Sequence, residues 1–101
     1  MASERRKQRR IPVRIDSTCK STSKSGTGHV TNISAGGCRV TCGLPLGEGD
    51  QAVLTIYFDR DGAMTLSGRV VSTGPKGVGV KFENMTPSLR FQIGEILHSL
   101  N

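Results

Sequence analysis

The sequence predicts a mainly β protein, a small antiparallel barrel of six to seven strands with one α-helix at its C-terminal end. Apolar and polar residues alternate along several short stretches, which is the two-residue period of a strand with one buried face. Turn-forming Gly, Pro, Asp and Asn residues separate these stretches at regular intervals. The last stretch changes to helical spacing, and a chain of 101 residues suits one such domain.

Six stretches have the composition of strands. The first, residues 11–16, carries Pro12 near its start, where a strand tolerates proline. The polar run 20–28 is predicted to be a turn, and the pair Asp61-Gly62 supplies hairpin chemistry further along the chain. The predicted strands are 11–16, 29–33, 38–42, 51–58, 63–72 and 78–82.

Aliphatic side chains must build most of the core, because aromatic residues are 4% of the chain and Trp is absent. In the fifth predicted strand the expected core members are Leu66, Val70 and Val71. In the sixth, alternation places the residues Val78, Val80 and Phe82 on one face.

The predicted helix covers about residues 87–100. Thr86 has the character of an N-cap, and Pro87 fits the first helical position. Helical spacing places an apolar stripe on one face, expected first to pack on the core, and Phe91 lies near it. The stripe consists of Leu89, Ile93, Ile96, Leu97 and Leu100.

The cysteines and histidines do not favour a metal site. The three cysteines form no CxxC pair, and neither histidine lies at the spacing of a zinc finger. Cys38 is expected to be a small buried strand residue, while Cys19 and Cys42 are expected to be incidental. The sequence also lacks a secretory signal and a membrane-spanning run, which predicts a cytoplasmic protein without a membrane partner.

Positive charge is concentrated in the predicted arm, residues 1–10. The formal net charge is +6, and the arm carries five cations against the single carboxylate Glu4. Such a block by itself favours a solvated, flexible tail, or a tail that contacts nucleic acid. The cations are Arg5, Arg6, Lys7, Arg9 and Arg10.

Two short motifs downstream change this interpretation. Arg6-x3-Arg10 precedes the first strand, and Asn32-x-Ser34-x2-Gly37 follows roughly twenty residues later at a strand break. This ordered pair resembles the PilZ domain family, whose signature is RxxxR followed by (D/N)xSxxG. The resemblance covers nearly the whole chain, because the run after Arg10, the GVGVKF strand and the terminal helix also fall where the family places theirs.

The resemblance implies a receptor for the bacterial second messenger cyclic di-GMP, with no catalytic residues, metal or other cofactor. An arginine fork matches the adjacent O6 and N7 acceptors of guanine, stacks on bases and pairs with phosphate. Arg5, directly before the first motif, implies two ligand molecules per chain, and Asn32 stands where many relatives have Asp. The implied ligand-binding residues are Arg5, Arg6, Arg10, Asn32, Ser34 and Gly37, with Gly36 and Arg39 as further candidates.

Simpler interpretations stand beside these assignments. The Ser34 hydroxyl could cap the turn, and the glycines Gly36 and Gly37 could mark a β-bulge. The runner-up function is a nucleic-acid binder that uses the arm on phosphates. Against it, Tyr57 and Phe58 are adjacent, so only one can face a given side and no stacking platform forms.

The expected mode of action is that of a binding module. No nucleophile–base pair supports an enzyme. Ligand is expected to order the arm over the barrel, and an unidentified effector protein would then recognise the changed surface in trans.

Overall fold

The computed structural model describes residues 10–22, 24–59 and 62–100. Within them the chain forms six strands followed by one helix, as the sequence predicts. The elements are β1 (Ile11–Lys20), β2 (Ser25–Ile33), β3 (Gly37–Cys42), β4 (Gln51–Phe58), β5 (Gly62–Gly74), β6 (Gly77–Glu83) and α1 (Pro87–Leu100).

The strands close into an antiparallel barrel in the order β1-β2-β3-β6-β5-β4. The barrel consists of two three-stranded meanders, β1 to β3 and β4 to β6. Strand β3 pairs with β6 through Gly37↔Lys81, and β1 pairs with β4 through Ser17↔Ile56 and the three following residues. Residues 17–20 of β1 thus close the sheet onto β4, whereas residues 11–16 pair with β2 and not with β4. The predicted fold class is confirmed.

One aliphatic core fills the barrel interior. Leu54 and Ile56 of β4 are fully buried, and Leu66 and Val70 of β5 are 1% exposed. The prediction that Val71 lies in the core is wrong, because its side chain is 53% exposed. Successive strand residues point to opposite faces, so burial of Val70 sends its neighbour outward.

The polar stretch after β1 is more regular than its composition suggests. Strand β1 continues to Lys20, which pairs with Ser25 at the start of β2. The backbone N–H of Ser21 donates to the carbonyl of Lys24 at 2.9 Å, which closes the hairpin. The prediction of a turn over 20–28 is therefore too long. Pairing with β1 and β3 supplies the hydrogen bonds that hold Ser, Thr and Gly residues in an extended strand.

Helix α1 begins as the sequence predicts, and its apolar stripe packs on the core except at Leu100, whose side chain is 37% exposed. The backbone N–H of Leu89 donates to Thr86 Oγ1 at 3.1 Å, which is an N-cap contact. Ile93 and Ile96 are buried in the barrel core, whereas Phe91 is 70% exposed. Among the described residues, no helix is long and apolar enough to cross a membrane.

Two of the three cysteines lie in the core. Cys38 is buried as expected, but Cys19 is also fully buried, so the expectation that it is incidental is wrong. Burial raises the pKa of both thiols to about 12, and for Cys19 the neighbouring Cys42 adds to the effect. Both thiols are therefore protonated and unreactive at neutral pH.

A thiol titration tests this burial. In the native protein at pH 8 we expect one rapidly reacting thiol, that of the partly exposed Cys42, and three after denaturation. Because free thiols ionise near pH 9.0 and the buried ones near 12, the unfolded state releases protons first as pH rises. Native stability should therefore fall above about pH 9. Rapid labelling of all three native thiols would contradict the buried positions.

Candidate functional site

The loop between β2 and β3 carries the second motif and is held by its own residues. Ser34 is buried, and its backbone N–H donates to the carbonyl of Gly37 at 2.8 Å. The Ser34 hydroxyl also donates to that carbonyl and accepts from the backbone N–H of Gly36, both at 3.3 Å. The hydroxyl thus caps the turn, the simpler of its two predicted roles.

The same loop is also hydrogen-bonded to β6. The backbone N–H of Phe82 donates to the carbonyl of Gly36 at 2.9 Å. At Gly37 the two strands approach so closely that a Cβ would clash with the carbonyl oxygen of Val80. The irregular register in this region lies one strand earlier, between Val30 and Asn32, and not at the paired glycines. Gly37 therefore serves close strand packing, and the β-bulge interpretation is wrong for both glycines because neither lies at the register shift.

Arg10 joins the two motifs. It directly precedes β1, and its Nη1 donates to Asn32 Oδ1 at 3.1 Å. Asn32 lies on β2, where it pairs with Pro12 of β1 on one side and with Arg39 of β3 on the other. The amide of Asn32 therefore orients the guanidinium of Arg10 over the sheet. Arg5 and Arg6 lie outside the described residues.

A cleft of about 390 Å³ brings the motif residues together with side chains from the other half of the barrel. Arg10, Ser34, Gly36, Gly37 and Arg39 form one part of its lining. The remainder comes from β5, β6 and α1 and includes Val71, Lys81, Phe82 and Arg90.

The sequence analysis missed Lys81, Arg90 and Val71 as part of this site. No motif or spacing in the sequence indicates them, because they reach the cleft only through the β3–β6 pairing and the docking of α1.

The electrostatics of the cleft favour an anion. Of the described residues that line it, four are cations, Arg10, Arg39, Lys81 and Arg90, and none is acidic. Within the part of the chain that the structure describes, the one ion pair is Arg69 with Glu83 at 3.0 Å. The cleft cations are therefore not neutralised by described carboxylates. Positive charge focused in a cleft attracts anionic ligands.

A larger cavity of about 540 Å³ lies elsewhere, between β1, β4 and the end of α1. Its one cation, Arg14, is accompanied by Asp16 and Asp59, and Tyr57 contributes an exposed ring. Among the described lining residues of this cavity, two carboxylates outnumber one cation, so it offers an anion less attraction than the smaller cleft does.

The remaining polar candidates do not enter the cleft. His29 lies on β2, where its Nε2 is 3.4 Å from Arg14 Nη1 and 3.2 Å from Thr41 Oγ1. It is a partly buried surface residue of the strand, as expected. No group of three or more described His, Cys, Asp or Glu residues could hold a metal ion.

Comparison with known proteins agrees with this architecture. The family model described as the PilZ domain matches residues 4–99, a range that includes both motifs. A search of the curated proteins finds no significant match.

Three solved structures share the fold. The PilZ domain of Escherichia coli YcgR, with c-di-GMP, has a TM-score of 0.79 and 17% identity, over 95% of this chain and 91% of that one. The PilZ domain of CeSA from a cellulose-synthesizing bacterium has a TM-score of 0.74 and 19% identity, over 91% of this chain and 97% of that one. The K. pneumonia MrkH–c-di-GMP complex has a TM-score of 0.76 and 17% identity, over 94% of this chain and 51% of that one.

These TM-scores show the shared fold, and the family model covers nearly the entire sequence, including the basic residues before β1 and the loop after β2. The chain belongs to the PilZ domain family.

Proposed function

We propose that this protein is a cyclic di-GMP receptor and that the ligand binds in the basic cleft between the β2–β3 loop and β6. The observation that carries the proposal is the convergence of Arg10, Ser34, Gly37 and Arg39 on one cleft whose described lining contains no carboxylate. Family membership and the c-di-GMP named with two of the similar structures support the same ligand.

The chemistry of the ligand fits the cleft. Cyclic di-GMP carries two phosphates and two guanines, so it needs both anion contacts and donors for O6 and N7. The Arg10 guanidinium, oriented by Asn32 through one nitrogen, keeps further N–H donors for a base or a phosphate. Asn32 itself is not among the residues that line the cleft, and in this proposal it acts by holding Arg10 in place. In this proposal Gly36 and Gly37 leave the loop backbone open to the ligand.

The predicted arm can reach the same cleft. Arg6 is four residues from Arg10, and a fully extended chain covers at most about 3.6 Å per residue, so their Cα atoms lie within about 14 Å. In the proposal, ligand draws Arg5 and Arg6 onto the cleft and changes the conformation of residues 1–9. Contacts to phosphate and guanine must outweigh the ordering entropy, about 1–2 kcal/mol per backbone residue.

The changed surface is the proposed output. We place its action in the cytoplasm, as a binding module without catalytic activity, and its target is an effector protein that contacts the arm. A pull-down with immobilised protein, with and without cyclic di-GMP, would test for ligand-dependent capture. An Arg6→Ala variant, which loses a ligand contact in this proposal, should capture less of the partner when cyclic di-GMP is present.

Calorimetric titration tests the receptor proposal directly. With cyclic di-GMP we expect saturable binding of two equivalents per chain, since Arg5 precedes the RxxxR motif. GTP and a short oligonucleotide serve as comparison ligands and should bind more weakly. One equivalent at saturation would contradict the two-ligand proposal. Binding of the oligonucleotide without binding of cyclic di-GMP would favour the nucleic-acid alternative and overturn the receptor.

A further inference from the structure

The part of the cleft lining that comes from β6 and α1 carries two cations that no motif accounts for. Lys81 lies on β6 and Arg90 lies in the first turns of α1, and both are exposed. They line the same cleft as Arg10 and Arg39, which come from the β1–β3 half of the barrel. A ligand that filled the cleft would therefore meet positive charge from the β1–β3 half of the barrel and also from β6 and α1.

Arg90 occupies a position that disfavours a cation unless an anion is present. Its backbone N–H donates to the carbonyl of the N-cap residue Thr86 at 2.9 Å, so Arg90 lies close to the helix N-terminus. The positive end of the helix dipole repels a cation there, and the first turn of α1 contains no acidic residue to compensate. A phosphate beside Arg90 would be attracted by the guanidinium and by the helix end together.

The guanidinium of Arg90 is also oriented. Its Nε donates to the carbonyl of Met85 at 3.3 Å. Within residues 10–22, 24–59 and 62–100, neither of its Nη groups donates to another group. These two nitrogens form the side of the fork that pairs with two phosphate oxygens.

Lys81 is open on the side of the motif loop. Its neighbour across the β3–β6 pairing is Gly37, which has no side chain to cover it. On the other side it pairs with Arg69, which already holds the nearby carboxylate Glu83 at 3.0 Å. The ammonium of Lys81 therefore supplies a charge that this carboxylate does not neutralise.

We propose that Lys81 and Arg90 bind a phosphate of the ligand, Arg90 by a two-pronged contact and Lys81 as a point charge. This proposal rests on the proposed function and extends it, because it assigns anion contacts to β6 and to the C-terminal helix. The bound ligand then bridges the motif loop and α1, so ligand binding is coupled to the helix as well as to the arm.

Affinity measurements with single variants test the proposal. We expect Arg90→Ala and Lys81→Ala each to weaken cyclic di-GMP binding by about tenfold, the effect of losing one charged hydrogen bond. Arg90→Lys should recover part of the loss, because charge returns without the fork. Lys76→Ala, which removes an exposed cation of the β5–β6 turn outside the cleft, is the matched control and should bind like the parent protein.

Two readouts separate ligand contact from a structural role. Thermal melting without ligand should be unchanged in Lys81→Ala, whose side chain makes no hydrogen bond to a described residue. The salt dependence of cyclic di-GMP affinity should become shallower in both Ala variants, since each loses a phosphate contact.

The outcomes distinguish the two proposals. If Arg90→Ala and Lys81→Ala bind cyclic di-GMP as the parent protein does while Arg10→Ala loses affinity, the proposal for Lys81 and Arg90 is overturned. The receptor proposal then still stands. If the parent protein itself fails to bind cyclic di-GMP, the proposed function is overturned and this inference with it. If Arg90→Ala melts at a lower temperature, its weaker binding could come from lost stability. The cyclic di-GMP affinity of Lys81→Ala then decides whether this part of the cleft binds the ligand.

Discussion

Replacing Arg10 by alanine is expected to lower cyclic di-GMP affinity about ten- to hundredfold, the equivalent of losing a charged hydrogen bond of about 1.5–3 kcal/mol. Arg10 is the one arginine of the RxxxR motif that the structure describes. It lines the basic cleft and is oriented by Asn32 at 3.1 Å. Its side chain is exposed, so the free energy of unfolding should change little.

Two companion variants sharpen the result for Arg10. Arg10→Lys keeps the charge but loses the fork and the stacking plane, so its affinity should stay well below that of the parent protein. Arg14→Ala removes an equal charge from β1, the strand that follows Arg10, at a side chain that lines the other cavity, and should bind cyclic di-GMP normally. Calorimetry on all three proteins measures these effects. Unchanged affinity in Arg10→Ala would overturn the site assignment.

The second large effect is expected at Gly37. A Cβ there would clash with the carbonyl oxygen of Val80, on the strand that closes the barrel against β3. Backbone atoms cannot move aside as a side chain can, so Gly37→Ala must separate the two strands locally. Overpacking of this kind costs about 1–3 kcal/mol. A domain of this size should then melt about 4–8 °C lower for each kcal/mol lost.

A matched glycine variant isolates the cause. Gly74 also lies in a strand, but a Cβ there would meet no atom within 4 Å. Gly74→Ala should therefore leave the urea midpoint essentially unchanged, while Gly37→Ala lowers it. Equal midpoints for the two variants would contradict the steric explanation. If Gly37→Ala instead reduced only ligand affinity, the glycine would serve ligand access and not strand packing.

The site was partly predictable because one section of it is contiguous with recognisable motifs. Arg10, Asn32, Ser34 and Gly37 were assigned from two short patterns, and the structure places all four around the β2–β3 loop. The sequence could not show that Asn32 contacts Arg10 itself, nor that the hydroxyl of Ser34 is occupied by the turn. Both facts depend on distances across the sheet.

Local sequence patterns explain both the correct and the wrong parts of the fold prediction. Strands β4 and β6 were predicted within a residue of their observed ends, because alternation of apolar and polar residues is strong there. The start of β2 was missed, since Ser, Thr and Gly give no apolar period even when neighbouring strands pair with them. Val71 was assigned to the core from its hydrophobicity, although the alternation around Val70 points it outward.

The sequence by itself determined the class of fold, the helix with its N-cap and the two motifs, because the residues that specify each of them are close along the chain. Tertiary structure alone decided that Cys19 is buried and that Lys81 and Arg90 line one cleft together with the motif loop. Those facts follow from barrel closure, in which β3 pairs with β6 and α1 docks on the core. Pairing between segments that are distant in the sequence depends on many weak contacts together. No single stretch of sequence therefore specifies which charged residues come to lie side by side.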